Sequence, residues 1–311
     1  MNKIYVGIDL GGTNIKIGVV SNGQIIAQTA LPAHAELPMQ KNLPGIRDAI
    51  NALLKSANLS HTDLGGVGIS FPSVVDNQAK RILTKYVKFP GAESVDFNQW
   101  SMDCWNVPVA LENDARAALV AEWQYGSGKG YKNIVLVTLG TGFGSAVLID
   151  GQLFRGAHHA GGNLGGHTII NFKGQPCNCG ARGCMETEAS GWVLDEKWKI
   201  DPEFRESKLA DEPQISFVKV FEWAAQDAFA NKILSHSLHA WSANIFNLVH
   251  HFDPQIVIMG GGIMKSGDKI IPQIQKFLDD NIWQGSGVVK VVPATHTDFA
   301  GMLGMAYLAS L

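Results

Sequence analysis

The chain has 311 residues and a formal net charge of −3, with 46% hydrophobic and 17% charged residues, 34 glycines and 12 prolines. That length predicts two domains with a cleft between them, and the apolar content excludes a disordered or collagen-like chain. The slight negative balance gives no basic footprint for a phosphate backbone, so nucleic acid is excluded as a first partner.

No long apolar leader and no uninterrupted apolar run of about 18 residues occurs, which predicts no membrane partner and a cytoplasmic location. Three of the four cysteines, Cys177, Cys179 and Cys184, fall within eight residues. They are too close for a disulfide framework, and Cys104 reads as a small buried hydrophobe.

In chain order, residues 4–28 read as strand, glycine-rich turn, strand, tight turn and strand. Ile4-Tyr5-Val6-Gly7-Ile8 leads through Asp9-Leu10-Gly11-Gly12-Thr13-Asn14 to Lys16-Ile17-Gly18-Val19-Val20, and Asn22-Gly23 supplies a hairpin turn because both residues tolerate positive φ. The spacing of Ile46, Ile50, Leu53 and Leu54 predicts a helix over 44–57 with Pro44 in its first turn. Residues 66–71 read as a buried strand ending at Pro72, 107–111 as a short strand, and 114–124 as a helix stopping at Gly126-Ser127-Gly128, a candidate boundary between halves.

Residues 133–154 then repeat the opening plan, so that Asp9 falls on Thr138 and Gly11 on Gly140. Beyond them, 195–212 is charged and unpatterned, and 241–251 reads as helix. Residues 255–259 read as a buried strand before Gly260-Gly261-Gly262, 265–283 as helix, 288–292 as strand and 298–311 as helix.

Three glycine turns, Gly11-Gly12-Thr13, Gly140-Thr141-Gly142 and Gly260-Gly261-Gly262, each follow a strand. Glycine lets backbone N–H groups approach phosphate oxygens, and Thr13 or Thr141 adds a hydroxyl donor. Each alone reads more simply as a tight turn; three at strand ends point to nucleotide phosphates. A P-loop is not matched, because Trp123 stands at the leading Gly position and Gly130 at the Ser/Thr position. No Gly-x-Gly-x-x-Gly opens a helix after a strand, so ATP held by hairpin loops is expected.

Asp114, between a strand and a helix and beside Asn113, is either a helix cap or the base that takes a hydroxyl proton in phosphoryl transfer. Asp9 is either a turn-forming residue or the carboxylate beside hydrated Mg2+. His167, Cys177, Cys179 and Cys184 set four nitrogen and sulfur donors within 18 residues, the set tetrahedral zinc takes. With all four positions filled by protein, such a zinc is structural and pins its loop.

These stretches, with Glu112-Asn113-Asp114 and the run from His167 to Thr187, resemble the ROK (repressor, open reading frame, kinase) sugar kinases along nearly the whole chain. The resemblance implies a two-domain, actin- and hexokinase-like α/β ATPase fold, ribonuclease H-like and duplicated, with an interdomain cleft. The smaller domain is expected over 1–117, with the helix of 298–311 as a candidate to complete it, and the larger over 118–297 with a zinc loop at 163–187.

It also implies ATP-dependent phosphorylation of a hexose or amino sugar at the 6-hydroxyl, with Asp114 as base and Asn113, His167 and Glu186 on ring hydroxyls. Gly11, Gly12, Thr13, Lys16, Gly140, Thr141, Gly142, Gly260, Gly261 and Gly262 fall on the ATP side, with Asp9 toward Mg2+. The stretch from Asp253-Pro254 through Gly260-Gly261-Gly262 looks like the adenosine-side loop, and a homodimer is implied. A non-catalytic sugar-binding regulator of the same fold is the alternative. Family repressors carry a helix-turn-helix ahead of the first hairpin, and a hairpin beginning at Ile4 makes the kinase the expectation.

One departure stands out. Family kinases read Gly-Glu-x-Gly-His before the zinc histidine, whereas Asn163-Leu164-Gly165-Gly166-His167 puts Leu164 at the Glu position. Losing a charged acceptor for a hydroxyl costs ~1.5–3 kcal/mol, roughly one to two decades of affinity, unless Asn163 substitutes or the sugar differs at that hydroxyl.

Overall fold

The computed structural model describes residues 3–85, 87–283 and 287–311. The chain forms two compact units: the first takes residues up to 130, Arg155–Gly161 and Thr295–Leu311, and the second Tyr131–Phe154 and Gly162–Ala294. The 117/118 division expected from the sequence falls inside one unbroken helix, Asp114–Tyr125, whose Ala117, Val120 and Ala121 are all buried. A helix committed to one core does not divide between two, and the first unit keeps it whole.

The first unit contains β1 (Ile4–Leu10), β2 (Asn14–Ser21), β3 (Gln24–Pro32), α1 (Met39–Ser56) and β4 (Leu64–Phe71). The small ribbon β5 (Val75–Asp76) and β6 (Arg81–Ile82) follows, then α2 (Phe97–Trp105), β7 (Val109–Asn113), α3 (Asp114–Tyr125) and a C-terminal helix, Ala300–Ala309. The sheet order is β3-β2-β1-β4-β7, antiparallel from β3 to β1 and parallel from β1 to β7. Interior β4 is mostly apolar and buried along almost its whole length, as a parallel strand covered on both faces must be, whereas edge strand β3 alternates between exposed and half-buried residues.

Gly7 and Gly68 lie directly against backbone carbonyls of Met302 and Met305, so the C-terminal helix rests on the sheet at a distance no side chain there would allow. In α1, Ile46, Ile50, Leu53 and Leu54 bury one face, each worth about 1.5–3 kcal/mol. That helix starts at Met39, earlier than its expected start at Pro44, because Met39 is buried and its N–H donates to Pro90 O at 2.9 Å. Pro44 therefore lies inside the helix, past the first turn.

The second unit repeats this plan. It contains β8 (Ile134–Leu139), β9 (Phe143–Ile149), β10 (Gln152–Leu153), α4 (Met185–Ala189), α5 (Leu194–Trp198), α6 (Phe217–Trp223), α7 (Ala228–Phe252), β11 (Ile256–Gly260), α8 (Gly267–Asn281) and β12 (Lys290–Pro293). Its sheet order, β10-β9-β8-β11-β12, has the same sequence of antiparallel and parallel pairings. Leu10 pairs with Ile15 across the first glycine turn and Leu139 with Phe143 across the second, which is one residue shorter.

Helix α7 begins 13 residues before the stretch the sequence marked. Asp227 caps it by accepting N–H bonds from Phe229 and Ala230, and Trp241 and Ile245 bury its face in the core. The charged stretch 195–212 resolves into the end of α5 and two short 3-10 turns, Pro202–Glu206 and Lys208–Asp211. Among the described residues no helix is long and apolar enough to cross a membrane.

Candidate active site

In the first unit, Asp9 ends β1's approach to the glycine turn, and its Oδ1 accepts the Ser70 hydroxyl at 2.7 Å. Asn113 closes β7 and caps α3: its Oδ1 accepts the Ala115 and Arg116 N–H groups at 3.1 and 3.2 Å. The cap is thus Asn113, and Asp114 is the first residue of the helix. That relieves Asp114 of a capping duty. Its Oδ1 accepts from Ala115 N–H at 2.8 Å and from the Asn113 amide at 2.9 Å, while Oδ2 carries no such bond among the described residues.

Burial pushes the Asp114 carboxyl up to about 6, with the nearby Asp9 charge adding to the shift. The Ala115 and Asn113 bonds and the Lys88 cation work the other way. The loop after β4 meets this corner through Ser73, whose carbonyl accepts from Asn113 Nδ2 at 3.2 Å. Lys16, expected on the phosphate side, instead donates to Asp298 O at 3.0 Å and lies 3.8 Å from its carboxylate. In the turn itself, Gly12 and Thr13 are exposed.

Directly before Asn113, Glu112 is completely buried between two arginines. Its Oε2 accepts from Arg155 Nε and Nη2 at 2.9 and 2.7 Å, and its Oε1 from Asn113 N–H at 2.9 Å, with Arg116 Nη1 at 3.4 Å. Arg116 also donates to the carbonyls of His159 and Gly161 at 3.0 and 2.6 Å. This clasp ties segment Arg155–Gly161 to the first unit, and the sequence carried no signal for it beyond isolated charges. Removing one partner of a buried ion pair leaves the other uncompensated, so Arg155→Ala is expected to cost about 2–3 kcal/mol, discounted for the partial exposure of Arg155. Thermal melts should show a fall of roughly 4–12 °C, and a melting temperature unchanged from wild type would mean the clasp is idle.

In the second unit the turns at 140–142 and 260–262 lie side by side, since Gly260 pairs with Thr138 across β11 and β8. Gly261, at φ +91°, lies against the backbone of Leu139, which only glycine permits. The carbonyls of Gly140 and Thr141 accept N–H bonds from Gly191 and Trp192, both at 3.0 Å, which holds the turn from behind. Glu186 Oε1 accepts Phe143 N–H at 2.8 Å, so this sugar-side candidate also braces the turn.

Asn163 Oδ1 is buried with no hydrogen-bond donor among the described residues, a deficit of about 1–3 kcal/mol that a ligand hydroxyl would remove. Leu164 is 46% exposed. Asp253 and Pro254 precede β11 at the end opposite Gly260, seven and six residues before it and roughly 20 Å away along the extended chain. They line a hollow of about 550 Å³ with Tyr131, Asn133 and Lys290 and do not join the glycine turns. Of the stretch expected on the adenosine side, the Gly260–Gly262 end therefore lies beside the 140–142 turn and the Asp253-Pro254 end does not.

The donor atoms of His167, Cys177, Cys179 and Cys184 all lie within 4.8 Å of one another. Cys179 and Cys184 sulfurs are 3.6 Å apart, and His167 Nδ1 is 3.6 Å from Cys177 Sγ. Tetrahedral bonds of about 2.3 Å to zinc would set neighbouring sulfurs roughly 3.7 Å apart, so the set fits that ion. Burial and the adjoining sulfurs push the Cys184 thiol up to about 12, a penalty on charge that a dication reverses.

Behind the loop, Glu188 accepts from Asn171 at 3.0 Å and from His236 at 3.1 Å and pairs with Lys197. Burial opposes its charge, but these partners win and hold the carboxyl down at about 2. Sequence reading passed over Glu188, whose partners are spread from 171 to 236.

A family model described as the ROK family matches residues 5–311. A glucokinase of Thermotoga maritima is 32% identical over 309 residues, 97% of this chain and 95% of that protein. A xylose repressor of Bacillus subtilis is 28% identical over 305 residues, covering 97% of this chain and 75% of the repressor. The crystal structure of a ROK family glucokinase from Streptomyces griseus, in complex with glucose and AMPPNP, matches with a TM-score of 0.77 at 28% identity over 99% of each chain.

Proposed function

Given that this chain belongs to the ROK family and has its actin- and hexokinase-like α/β fold, we propose that it is an ATP-dependent sugar kinase acting on the 6-hydroxyl of a hexose or amino sugar. The observation that carries the reading is Asp114. One of its oxygens is pinned by Ala115 and Asn113 and the other is left open, on the unit that also carries the 11–13 turn and Asp9.

In the reaction the sugar oxygen forms a bond to the γ-phosphorus in line as the bond to ADP breaks, and Asp114 takes the hydroxyl proton. Gly11, Gly12 and Thr13, with the turns at 140–142 and 260–262, are assigned to phosphate oxygens. Asp9 Oδ1 holds Ser70 while Oδ2 carries no such bond among the described residues, which suits a carboxylate beside hydrated Mg2+; Mg2+ supplies charge neutralisation when bound with ATP. Asn113, Asn163, His167 and Glu186 are assigned to ring hydroxyls. His167 Nδ1 faces the sulfurs, so Nε2 is the nitrogen available to a hydroxyl. His167, Cys177, Cys179 and Cys184 would hold a structural zinc. Reduced thiols suit a cytoplasmic setting, and the homodimer belongs to the same proposal, to be read by light scattering.

Leu164 supports a second reading, a sugar-binding regulator, because a leucine replaces the acceptor that family kinases carry. A coupled assay over hexoses, hexosamines and N-acetylhexosamines, with and without Mg2+, separates the two: Mg2+-dependent ADP release on one class is expected. On glucose, Leu164→Glu should raise kcat/KM by roughly 10–100-fold. Strong glucose turnover by the wild type, unaltered by that change, would show that Leu164 does not set substrate choice.

A further inference from the structure

Residues 83–90 carry no motif, yet the structure fixes Lys88 with care. Its neighbour Phe89 is buried, packs with its ring tilted against Phe71 at 5.9 Å between centroids and donates its N–H to Ala35 O at 2.6 Å, while Pro90 O accepts from Met39 at the start of α1. Phe89 also sits at φ +55°, an unusual conformation for an aromatic residue, which the surrounding core imposes and which bends the chain sharply just after Lys88. The lysine thus projects from an anchored point.

It reaches the first glycine turn. A Cβ at Gly12 would stand 2.7 Å from Lys88 Nζ and 3.0 Å from its Cε, so the ammonium lies where any side chain at position 12 would have gone. The same charge is felt by Asp114. Among the described residues Lys88 has no hydrogen-bond or ion-pair partner, whereas the cation that sequence reading favoured, Lys16, is held by Asp298. A half-buried ammonium set against a turn rich in backbone N–H groups gathers positive potential from both. Among the described residues no carboxylate lies within pairing distance to cancel it, and the natural counterpart is an anion that arrives with a ligand.

We propose that Lys88 is a further catalytic residue, whose ammonium, laid over Gly12, binds the transferred phosphoryl group and neutralises the charge that gathers on its equatorial oxygens. The proposal rests on the kinase reading above. Bonds and protons balance without any contribution from Lys88 to either. The sugar oxygen gains phosphorus, ADP leaves with its electron pair, Asp114 receives the proton, and Lys88 stays protonated throughout as a fixed charge.

Lys88→Met and Lys88→Arg test it in the full-length protein, with melting temperatures recorded beside steady-state kinetics on the sugar the wild type turns over best. Lys88→Met is expected to lower kcat by about 10²–10³-fold with the sugar KM within about threefold of wild type. The acidic limb of its pH profile should move upward, since Asp114 loses a neighbouring cation. Lys88→Arg should recover at least about tenfold of the loss, because charge and not shape is what matters. A Lys88→Met kcat within about threefold of an active wild type overturns the proposal and leaves the kinase reading standing. Equal losses in both variants with a lowered melting temperature also overturn it, in favour of a structural lysine. A wild type inert on every sugar overturns the kinase reading itself, and the assignment of Lys88 with it.

Discussion

Asp114→Asn is expected to lower kcat by about 10³–10⁴-fold while the protein remains folded and keeps its metal. Asparagine has the shape of aspartate and can still accept the Ala115 N–H, so α3 and its Asn113 cap are retained. What is lost is the only oxygen of the pair able to take a proton from the attacking hydroxyl. The wild-type pH profile should show the same group: with the carboxyl pushed up to about 6, kcat/KM falls as pH drops through that value and the base fills.

Stability moves in the opposite sense. The folded protein holds this proton more tightly than the unfolded chain, so the group's stabilising contribution is complete below pH 3.8 and is lost as pH rises from there through about 6. Asp114→Asn escapes that loss, and its melting temperature relative to wild type should be more favourable at pH 7.5 than at pH 4.5. Retained turnover in the asparagine variant would remove Asp114 from the base role. A relative melting temperature independent of pH would remove the strain assigned to its charge.

The second large effect concerns the four-donor loop. Metal analysis is expected to give one zinc per chain, and Cys184→Ser or a strong chelator should remove it. Residues 165–184 are tied by a 3-10 turn, the bridges Ile169–Cys184 and Pro176–Arg182 and local backbone hydrogen bonds, but glycines aside only Cys177 and Cys184 are buried there, so the ion supplies order that packing does not. His167 is itself a donor, and Glu186 lies two residues beyond Cys184. Loss of zinc should therefore raise the sugar KM by about 10–100-fold, with much less effect on nucleotide affinity, because the glycine turns are held by strand pairing. The Glu188 cluster keeps the back of the loop attached, so a folded zinc-free protein is expected. A sugar KM that survives complete metal removal would contradict this account.

Legibility in the sequence followed range. The paired hairpins around Gly11 and Gly140, the four metal donors and the strand-to-helix junction at Asn113-Asp114 all depend on residues within about twenty positions of one another, where residue type and spacing dictate backbone form. Helix starts at Met39 and Ala228 were missed, since the first depends on Pro90, distant in the chain, and the second on an Asp227 cap ahead of any strong apolar period.

The Glu112 clasp, the pairing of Lys16 with Asp298 and the placing of Lys88 over Gly12 join residues 43, 282 and 76 positions apart. From composition and local pattern alone, this chain declared its duplicated hairpins, its candidate phosphate turns, its candidate metal donors and its candidate base. Which cation meets the glycine turn, which oxygen of Asp114 stays open and what holds Glu112 in the dark were decided only when the sheets assembled. Local backbone preference is a property of neighbouring residues, whereas the partner of a buried charge is chosen by whatever packing brings beside it.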